Sequence, residues 1–247
     1  MRALRVEGLV NARDLGGLPL TGGGTTPCGV FFRSENVDAV TARGWDELHD
    51  LGVRTVVDLR QDAERERDRS RRPDWLATVH VDLDGLENVD FWRGYADNGL
   101  WGTAAYFLPH LAAMPERAGA ALAAVADADE GGVLFHCMAG RDRTGLVAML
   151  LLRLVGADPD AIVDDYLETV RNADALAQAA GRANDEPLRE AILARRGSCT
   201  EGAFRDALGG LDIDAFLAAA GLPGTTVQRL RTWRASVVPT RSGRPAG

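Results

Sequence analysis

A run at positions 136–145, His-Cys-Met-Ala-Gly-Arg-Asp-Arg-Thr-Gly, constrains this chain more than any other stretch. An apolar, β-prone segment at 132–135 precedes it, and a continuous apolar segment at 146–152, typical of a buried helix, follows it. The pattern predicts a strand, a loop and a helix in succession. The first turn of a helix carries unpaired N–H groups and the positive end of the helix dipole. The loop is therefore predicted to bind an anion, and phosphate fits best.

Two side chains give this loop its chemistry. Cys137 opens the loop and Arg143 closes it six positions later. A field that attracts phosphate also stabilises a thiolate, so Cys137 is a candidate nucleophile. The planar guanidinium of Arg143 can hold two phosphoryl oxygens, and more strongly as charge builds in the transition state. Gly140 and Gly145 permit the backbone angles and close approach that an anion cradle requires.

Three other interpretations compete with this one. A cysteine near a glycine is often a small core residue, and rhodanese-like sulfurtransferases also wrap a short loop from a cysteine. A non-catalytic phosphate-binding module would be expected to lack Cys137 or Arg143, and both are present. The complete run is more specific than the cysteine and arginine alone. Within it, Thr144 can hydrogen-bond the thiolate and His136 can orient the loop from behind.

These residues resemble the signature loop of the cysteine-dependent protein tyrosine phosphatase superfamily. The Ala-Gly-x-Asp-Arg-Thr-Gly form is similar to that of bacterial tyrosine phosphatases whose loop shares features with phosphoinositide phosphatases, although Arg141 stands where those proteins usually carry Lys. The segment at 11–17, Asn-Ala-Arg-Asp-Leu-Gly-Gly, and the Arg-Ser-Glu at 33–35 extend the resemblance. Ala12 replaces the usual aromatic residue.

The resemblance implies an α/β fold with a central, mainly parallel sheet flanked by helices, as in protein tyrosine phosphatases. It implies a two-step reaction through a cysteinyl phosphate. Arg143 and the phosphate-binding loop would hold the phosphoryl oxygens. The loop residues are Met138, Ala139, Gly140, Arg141, Asp142 and Arg143. An acid must protonate the leaving oxygen. The resemblance favours Asp142, with Asp82 or Asp84, after a predicted third strand, as the alternatives.

The substrate implied is a phosphorylated protein or a phosphoinositide, and the charge of Arg141 would suit the latter. A protein tyrosine phosphatase is expected first, with phosphoserine, phosphothreonine or lipid activity as further possibilities.

Residues elsewhere are expected to support the loop. Arg13, Asp14 and Arg33 are candidates for a buried ion network that braces it, or for a solvated salt bridge at a hairpin edge. The strand predicted at 53–60 carries Asp58 and Arg60 at its end. Ligands bind beyond the carboxyl ends of parallel strands, so both residues should share a rim with Cys137.

Composition narrows the function classes. The chain has 46% hydrophobic and 26% charged residues, as in ordinary globular proteins, and a net charge of −8 that argues against nucleic acid as a partner. Three widely spaced cysteines favour a reducing compartment over a disulfide scaffold, and Cys28 and Cys199 are expected to be buried thiols. We expect no metal, no cofactor and no integral membrane association. The sequence starts without a signal peptide, which favours a cytoplasmic location, with leaderless secretion still open, and leaves the oligomeric state undetermined.

The remaining pattern predicts one phosphatase domain over 1–236 and a disordered tail over 237–247. The mixed charges at 61–72 indicate a solvated helix face, as do Asp164 and Asp165 in a helix that begins after Asp158. Aromatic residues cluster between 91 and 107, either as the wall of a deep pocket or as a satellite core. The polar helices at 170–197 form either a lid or an exposed pair, and 198–236 is a helical C-terminal part.

Overall fold

The computed structural model describes residues 2–68 and 70–234. Its centre is a sheet of five strands in the order β1-β2-β5-β3-β4, in which only the β1–β2 pair is antiparallel. The strands are β1 (Arg13–Asp14), β2 (Phe31–Ser34), β3 (Val53–Asp58), β4 (Ala77–His80) and β5 (Gly132–His136). The mainly parallel sheet predicted from the sequence is confirmed.

Helices occupy most of the remaining described chain. They are α1 (Ala42–Asp50), α2 (Asp62–Arg65), α3 (Val89–Ala96), α4 (Phe107–Ala113), α5 (Pro115–Asp127), α6 (Arg143–Val155), α7 (Pro159–Arg171), α8 (Ala173–Ala179), α9 (Glu186–Ala194), α10 (Thr200–Gly209), α11 (Ile213–Ala219) and α12 (Gly224–Arg231). A single 3₁₀ turn, Ala104–Tyr106, precedes α4. The helical C-terminal part is therefore confirmed as far as the described residues extend, and the predicted tail at 237–247 lies outside them.

Local signals in the sequence explain where several helices begin. The Thr41 side chain accepts a hydrogen bond from the Gly44 amide at the start of α1. Asp158 caps α7 in the same way, and Pro159 suits the first position because its missing N–H would have no helical partner. Pro115 begins α5 for the same reason.

The sheet separates two apolar clusters. Along β5, Val133 and Phe135 pack with α5 and α6, whereas Leu134 packs with Trp45 and Leu48 of α1. Side chains of a strand alternate between its two faces, so neighbouring residues join different clusters. Because β5 is covered on both faces, its sequence is continuously apolar, as is typical of a central parallel strand. These two layers hold the loop that follows β5.

Three expectations about exposure are wrong. Asp165 is buried rather than solvated, because it carries several ion pairs described below. Cys28 and Cys199 are exposed, not buried. Among the described residues of this stretch, 61–68 and 70–72, only α2 is helical, and its Glu64 is half-buried against the loop after β5. Each error concerns a polar or small side chain whose burial depends on partners distant in sequence.

The aromatic cluster forms part of the core. Trp92, Tyr106 and Phe107 are buried and pack in edge-to-face pairs, while Trp101 is exposed and lies over Trp92. The Trp92 indole N–H donates to the backbone oxygen of Asp84 at 2.9 Å. The cluster therefore supports the loop that carries Asp84. In the described residues, no helix is both long and apolar enough to cross a membrane.

Candidate active site

The parallel strands end side by side at one rim of the sheet. In register, Ser34 of β2 and Asp58 of β3 both lie beside His136 of β5. Cys137 follows directly, and α6 begins at Arg143. The predicted strand, loop and helix are thus present, at the end of the sheet where α/β proteins bind ligands.

The backbone of the loop has open hydrogen-bond donors. Within residues 2–68 and 70–234, the amides of Met138 to Arg143 donate to no protein acceptor. The Asp142 side chain, at the N-cap of α6, makes no capping hydrogen bond. Six neighbouring amides and an uncapped helix N-terminus therefore remain available to an anion.

Cys137 lies at the inner end of this loop and is 3% exposed, whereas the next residue, Met138, is 40% exposed. The Thr144 hydroxyl, in the first turn of α6, is buried and has no hydrogen-bond partner in the described structure. It is thus a hydrogen-bond donor without a protein acceptor at the end of the loop that Cys137 begins.

Arg143 points into the same site and is held by two carboxylates. Its Nη2 donates to Glu64 Oε1 at 2.9 Å while Nη1 donates to Glu64 Oε2, and Nη1 lies 3.0 Å from Asp84 Oδ2. Burial by itself would raise the pKa of Glu64. The hydrogen bonds and the charge of Arg143 outweigh burial, so the pKa of Glu64 lies below its usual value. These contacts show that the guanidinium engages anionic oxygens at two points, as phosphate recognition requires.

Asp84 and Asp142 differ in environment. Burial raises the pKa of Asp84 to about 6, although the Arg143 charge opposes that rise. The Asp142 carboxylate is partly exposed and lies 2.8 Å from Arg141 Nη1. Asp82 is paired instead with Arg117, at 3.5 Å. Asp84 is thus the carboxyl group whose surroundings favour a bound proton.

The Arg141 side chain is directed away from open solvent. It is 2% exposed, and Nη1 donates to the Gly102 backbone oxygen at 2.6 Å while Nη2 donates to Glu186 Oε2 at 2.9 Å. The guanidinium also lies over the Tyr166 ring. Arg141 therefore links the loop to α9 through Glu186, and its charge is already neutralised by protein groups.

Behind the loop lies an ion cluster around the buried Asp165, which we call the Asp165 cluster: Asp165, the buried Arg13 and Arg33, and the partly exposed Arg2. Asp165 Oδ1 accepts from Arg2 Nη1 at 2.7 Å and from Arg13 Nε at 2.9 Å, and Oδ2 accepts from Arg33 Nη1 at 2.6 Å. Burial acts against ionisation, but the arginine charges hold the pKa of Asp165 well below its usual range. Arg13 and Arg33 thus belong to a buried ion network, as expected, but its central carboxylate is Asp165 and not Asp14.

Asp14 is not part of that network. Its carboxylate accepts hydrogen bonds from the amides of Gly16 and Gly29, at 2.7 and 2.8 Å, and so supports the turn between β1 and β2. Burial raises its pKa.

His136 and Asp58 lie beneath the loop. Burial lowers the pKa of His136 to about 4, so the ring is neutral, and Nδ1 is 3.1 Å from the Cys137 backbone oxygen. Because that oxygen only accepts, Nδ1 carries the proton. Asp58 is 3.9 Å from His136 Nε2 and is bound by Arg60.

Sequence reasoning missed Glu64 and the role of Asp165. Glu64 stands six residues beyond the end of β3, so its proximity to the rim was a usable signal. No such signal marks Asp165, because its partners Arg2 and Arg13 belong to the N-terminal segment, which meets α7 only in the folded chain.

The fold and the site define an α/β protein with a cysteine at a loop whose backbone amides are open to an anion. The family model described as "Tyrosine phosphatase family" matches residues 4–233. A protein of Cupriavidus necator named as a tyrosine-protein phosphatase is 33% identical over 212 residues, which are 82% of this chain and 77% of that protein. A tyrosine-protein phosphatase of Nostoc commune is 33% identical, covering 57% of this chain and 48% of that one.

The triple specificity protein phosphatase PtpB of Mycobacterium tuberculosis is 32% identical over 64% of this chain and 66% of its own length. The chain belongs to the tyrosine phosphatase family. The phosphatase function and the enzyme class predicted from the signature loop are thereby confirmed.

Proposed function

We propose that this phosphatase works through a cysteinyl-phosphate intermediate on Cys137 and acts first on phosphotyrosine in proteins. The observation that carries the mechanism is the set of unpaired amides at Met138 to Arg143 beside the cysteine. The two-point binding capacity of Arg143 supports it. Together these groups are placed to stabilise the charge on the equatorial oxygens of a phosphoryl group in transfer.

In the first step the Cys137 thiolate attacks phosphorus, so that an S–P bond forms and the ester P–O bond breaks. Asp84 donates its proton to the leaving oxygen, because burial gives this carboxyl the environment of an acid. In the second step water attacks phosphorus, Asp84 takes up a proton from it, and the S–P bond breaks. Inorganic phosphate leaves and the thiolate is restored.

The other loop residues have supporting roles in this proposal. Arg141 contributes its backbone amide, since its guanidinium is occupied by Gly102 and Glu186. Thr144 donates to the thiolate, and Asp142 fixes Arg141. The reaction suits a reducing compartment such as the cytoplasm, because the nucleophilic thiolate must not be oxidised.

Membership of the family implies a phosphorylated substrate. What we propose is the preference of this enzyme among such substrates. The name of the Mycobacterium tuberculosis relative ascribes three specificities to that protein. Phosphotyrosine, phosphoserine and phosphothreonine peptides and phosphoinositides are therefore the appropriate panel. We expect the highest kcat/KM on a phosphotyrosine peptide.

The test is hydrolysis of para-nitrophenyl phosphate by the wild type and by Cys137→Ser, with a chelator and a reductant present. We expect turnover by the wild type and none by Cys137→Ser, together with a phosphorylated protein adduct in rapidly quenched wild type alone. Turnover by a correctly folded Cys137→Ser variant would exclude the cysteinyl-phosphate route.

A further inference from the structure

Four consecutive backbone oxygens of the loop are bound from outside it. The Cys137 oxygen accepts from His136 Nδ1 at 3.1 Å, and the Met138 oxygen accepts from the backbone and side-chain nitrogens of Asn36 at 2.9 and 3.2 Å. The Ala139 oxygen accepts from Asn11 Nδ2 at 3.3 Å, and the Gly140 oxygen from Arg33 Nη2 at 2.7 Å. Each oxygen thus has a donor from a different part of the N-terminal region or from the strand before the loop.

The direction of an oxygen fixes the direction of the next amide. In a planar trans peptide the C=O and the following N–H point to opposite sides. Donors that hold the oxygens of Met138, Ala139 and Gly140 on the outer side therefore turn the N–H groups of Ala139, Gly140 and Arg141 to the inner side. These are among the amides that lack a protein acceptor.

We propose that Asn11, Asn36 and Arg33 are positioning residues that orient the anion-binding amides of the loop. They touch no substrate and act through the peptide planes. Oriented dipoles stabilise a transition state most when no reorganisation is needed during the reaction. An amide that rotates freely would have to be reordered in each turnover.

The donors are themselves fixed. Arg33 is fully buried and its other terminal nitrogen binds Asp165 Oδ2, so this carboxylate oxygen, which Arg2 does not contact, holds it against the Gly140 oxygen. Asn11 is buried, and its Oδ1 accepts from Arg13 Nη1 at 2.9 Å, which assigns the Nδ2 group to the loop. Gly140 has φ +67°, and a Cβ atom there would lie 2.4 Å from the Ser34 oxygen. The loop is therefore seated directly on the end of β2.

The first test is Asn11→Asp, measured by kcat/KM on para-nitrophenyl phosphate and by inhibition with inorganic orthovanadate. The carboxylate keeps the bond to Arg13 but offers an acceptor to the Ala139 oxygen, so that peptide should turn. We expect kcat/KM and vanadate affinity to fall by about 100-fold, the loss typical of removing one oxyanion donor. The control is Asn172→Ala, which removes another contact of Asn11 Oδ1 without touching the loop.

The second test is Arg33→Lys, because one ammonium group cannot span Asp165 and the Gly140 oxygen as the guanidinium does. We expect the same loss of kcat/KM and vanadate affinity as in Asn11→Asp. The matched control is Arg2→Gln, which takes a different arginine from the same carboxylate. It should lower Tm and leave kcat, KM and vanadate inhibition at wild-type values.

The inference rests on the proposed function, and two results separate them. If Asn11→Asp and Arg33→Lys keep wild-type vanadate affinity, or if the controls lose it equally, the positioning role is overturned. If the wild type does not hydrolyse the phosphate ester, the proposed function fails. Binding of inorganic phosphate, measured by calorimetry on the same variants, then still decides whether these residues orient the loop.

Discussion

Arg143 is bound at two points by Glu64, a residue of the short helix α2 that lies 79 positions earlier in the chain. A carboxylate thus occupies the fork that a phosphoryl group needs. Substrate must share or displace this contact, and the negative charge of Glu64 opposes the approach of a dianion. The pair therefore sets both the orientation of the guanidinium and its affinity for anions.

Glu64→Gln should tighten binding of inorganic phosphate, measured as a competitive inhibitor. The amide keeps one acceptor oxygen for Arg143 and removes the opposing charge, so we expect the Ki to fall by about fivefold, on the order of 1 kcal/mol. Asp62→Asn, on the same helix but exposed, is the control and should not change the Ki. A Ki that rises in Glu64→Gln would contradict this account.

Asp84→Asn should remove one limb of the pH profile. The pKa of Asp84 is raised to about 6, so the carboxyl is protonated below that pH and loses its proton as pH rises through it. For a general acid, wild-type kcat/KM should therefore decline above about pH 6.

In Asp84→Asn this decline should vanish, and turnover of phenyl phosphate should fall by about 100-fold or more. Loss on para-nitrophenyl phosphate should be smaller, since para-nitrophenolate leaves more easily without a proton. Asp142→Asn is the comparison. If it removes the basic limb and Asp84→Asn does not, then Asp142 is the acid.

Asp165→Asn should destabilise the protein by about 3–5 kcal/mol, the usual effect of breaking a buried ion pair. The neighbouring Asp164→Asn should change stability by less than about 1 kcal/mol, since Asp164 and its partner Arg171 are exposed. The measurement is the free energy of unfolding in urea at neutral pH.

The Asp165 effect has a definite pH dependence. Its pKa is lowered on folding, so its stabilisation is complete above the unfolded-state value of about 3.9 and is lost as pH falls below it. The difference between the wild type and Asp165→Asn should therefore shrink at acid pH. A difference that persists unchanged there would show that packing, not charge, is responsible.

Arg141→Ala should lower turnover of phosphotyrosine peptides and of phosphoinositides to the same extent. The sequence alone suggested a preferential loss on the lipid, because a free cation would bind additional phosphates. In the structure Glu186, Asp142 and Gly102 occupy that cation. A selective loss of lipid turnover in Arg141→Ala would instead show that the Arg141 cation binds additional phosphates of the lipid.

Regular elements were predictable wherever local rules apply. The caps at Thr41 and Asp158, the proline that begins α5 and the apolar runs of β5 and α6 act over a few residues, so their consequences can be read directly.

Polar side chains were less predictable. Asp164 and Asp165 are adjacent and chemically identical, yet one is solvated and the other is at the centre of three ion pairs. Glu64 appeared as one charge among many in a mixed run, although it binds Arg143. The charge pattern of a helix does not reveal which partner another segment will bring to it.

The sequence by itself determined the chemistry of this protein: a thiol, an arginine and open amides between a strand and a helix, because adjacent residues in the chain build that loop. Only the tertiary structure decided how the loop is held and which carboxyl groups face it. Glu64, Asp84, Asp165 and the donors Asn11, Asn36 and Arg33 come from separate segments. Their contacts and the pKa shift of Asp84 arise from burial and long-range packing, which no local pattern encodes.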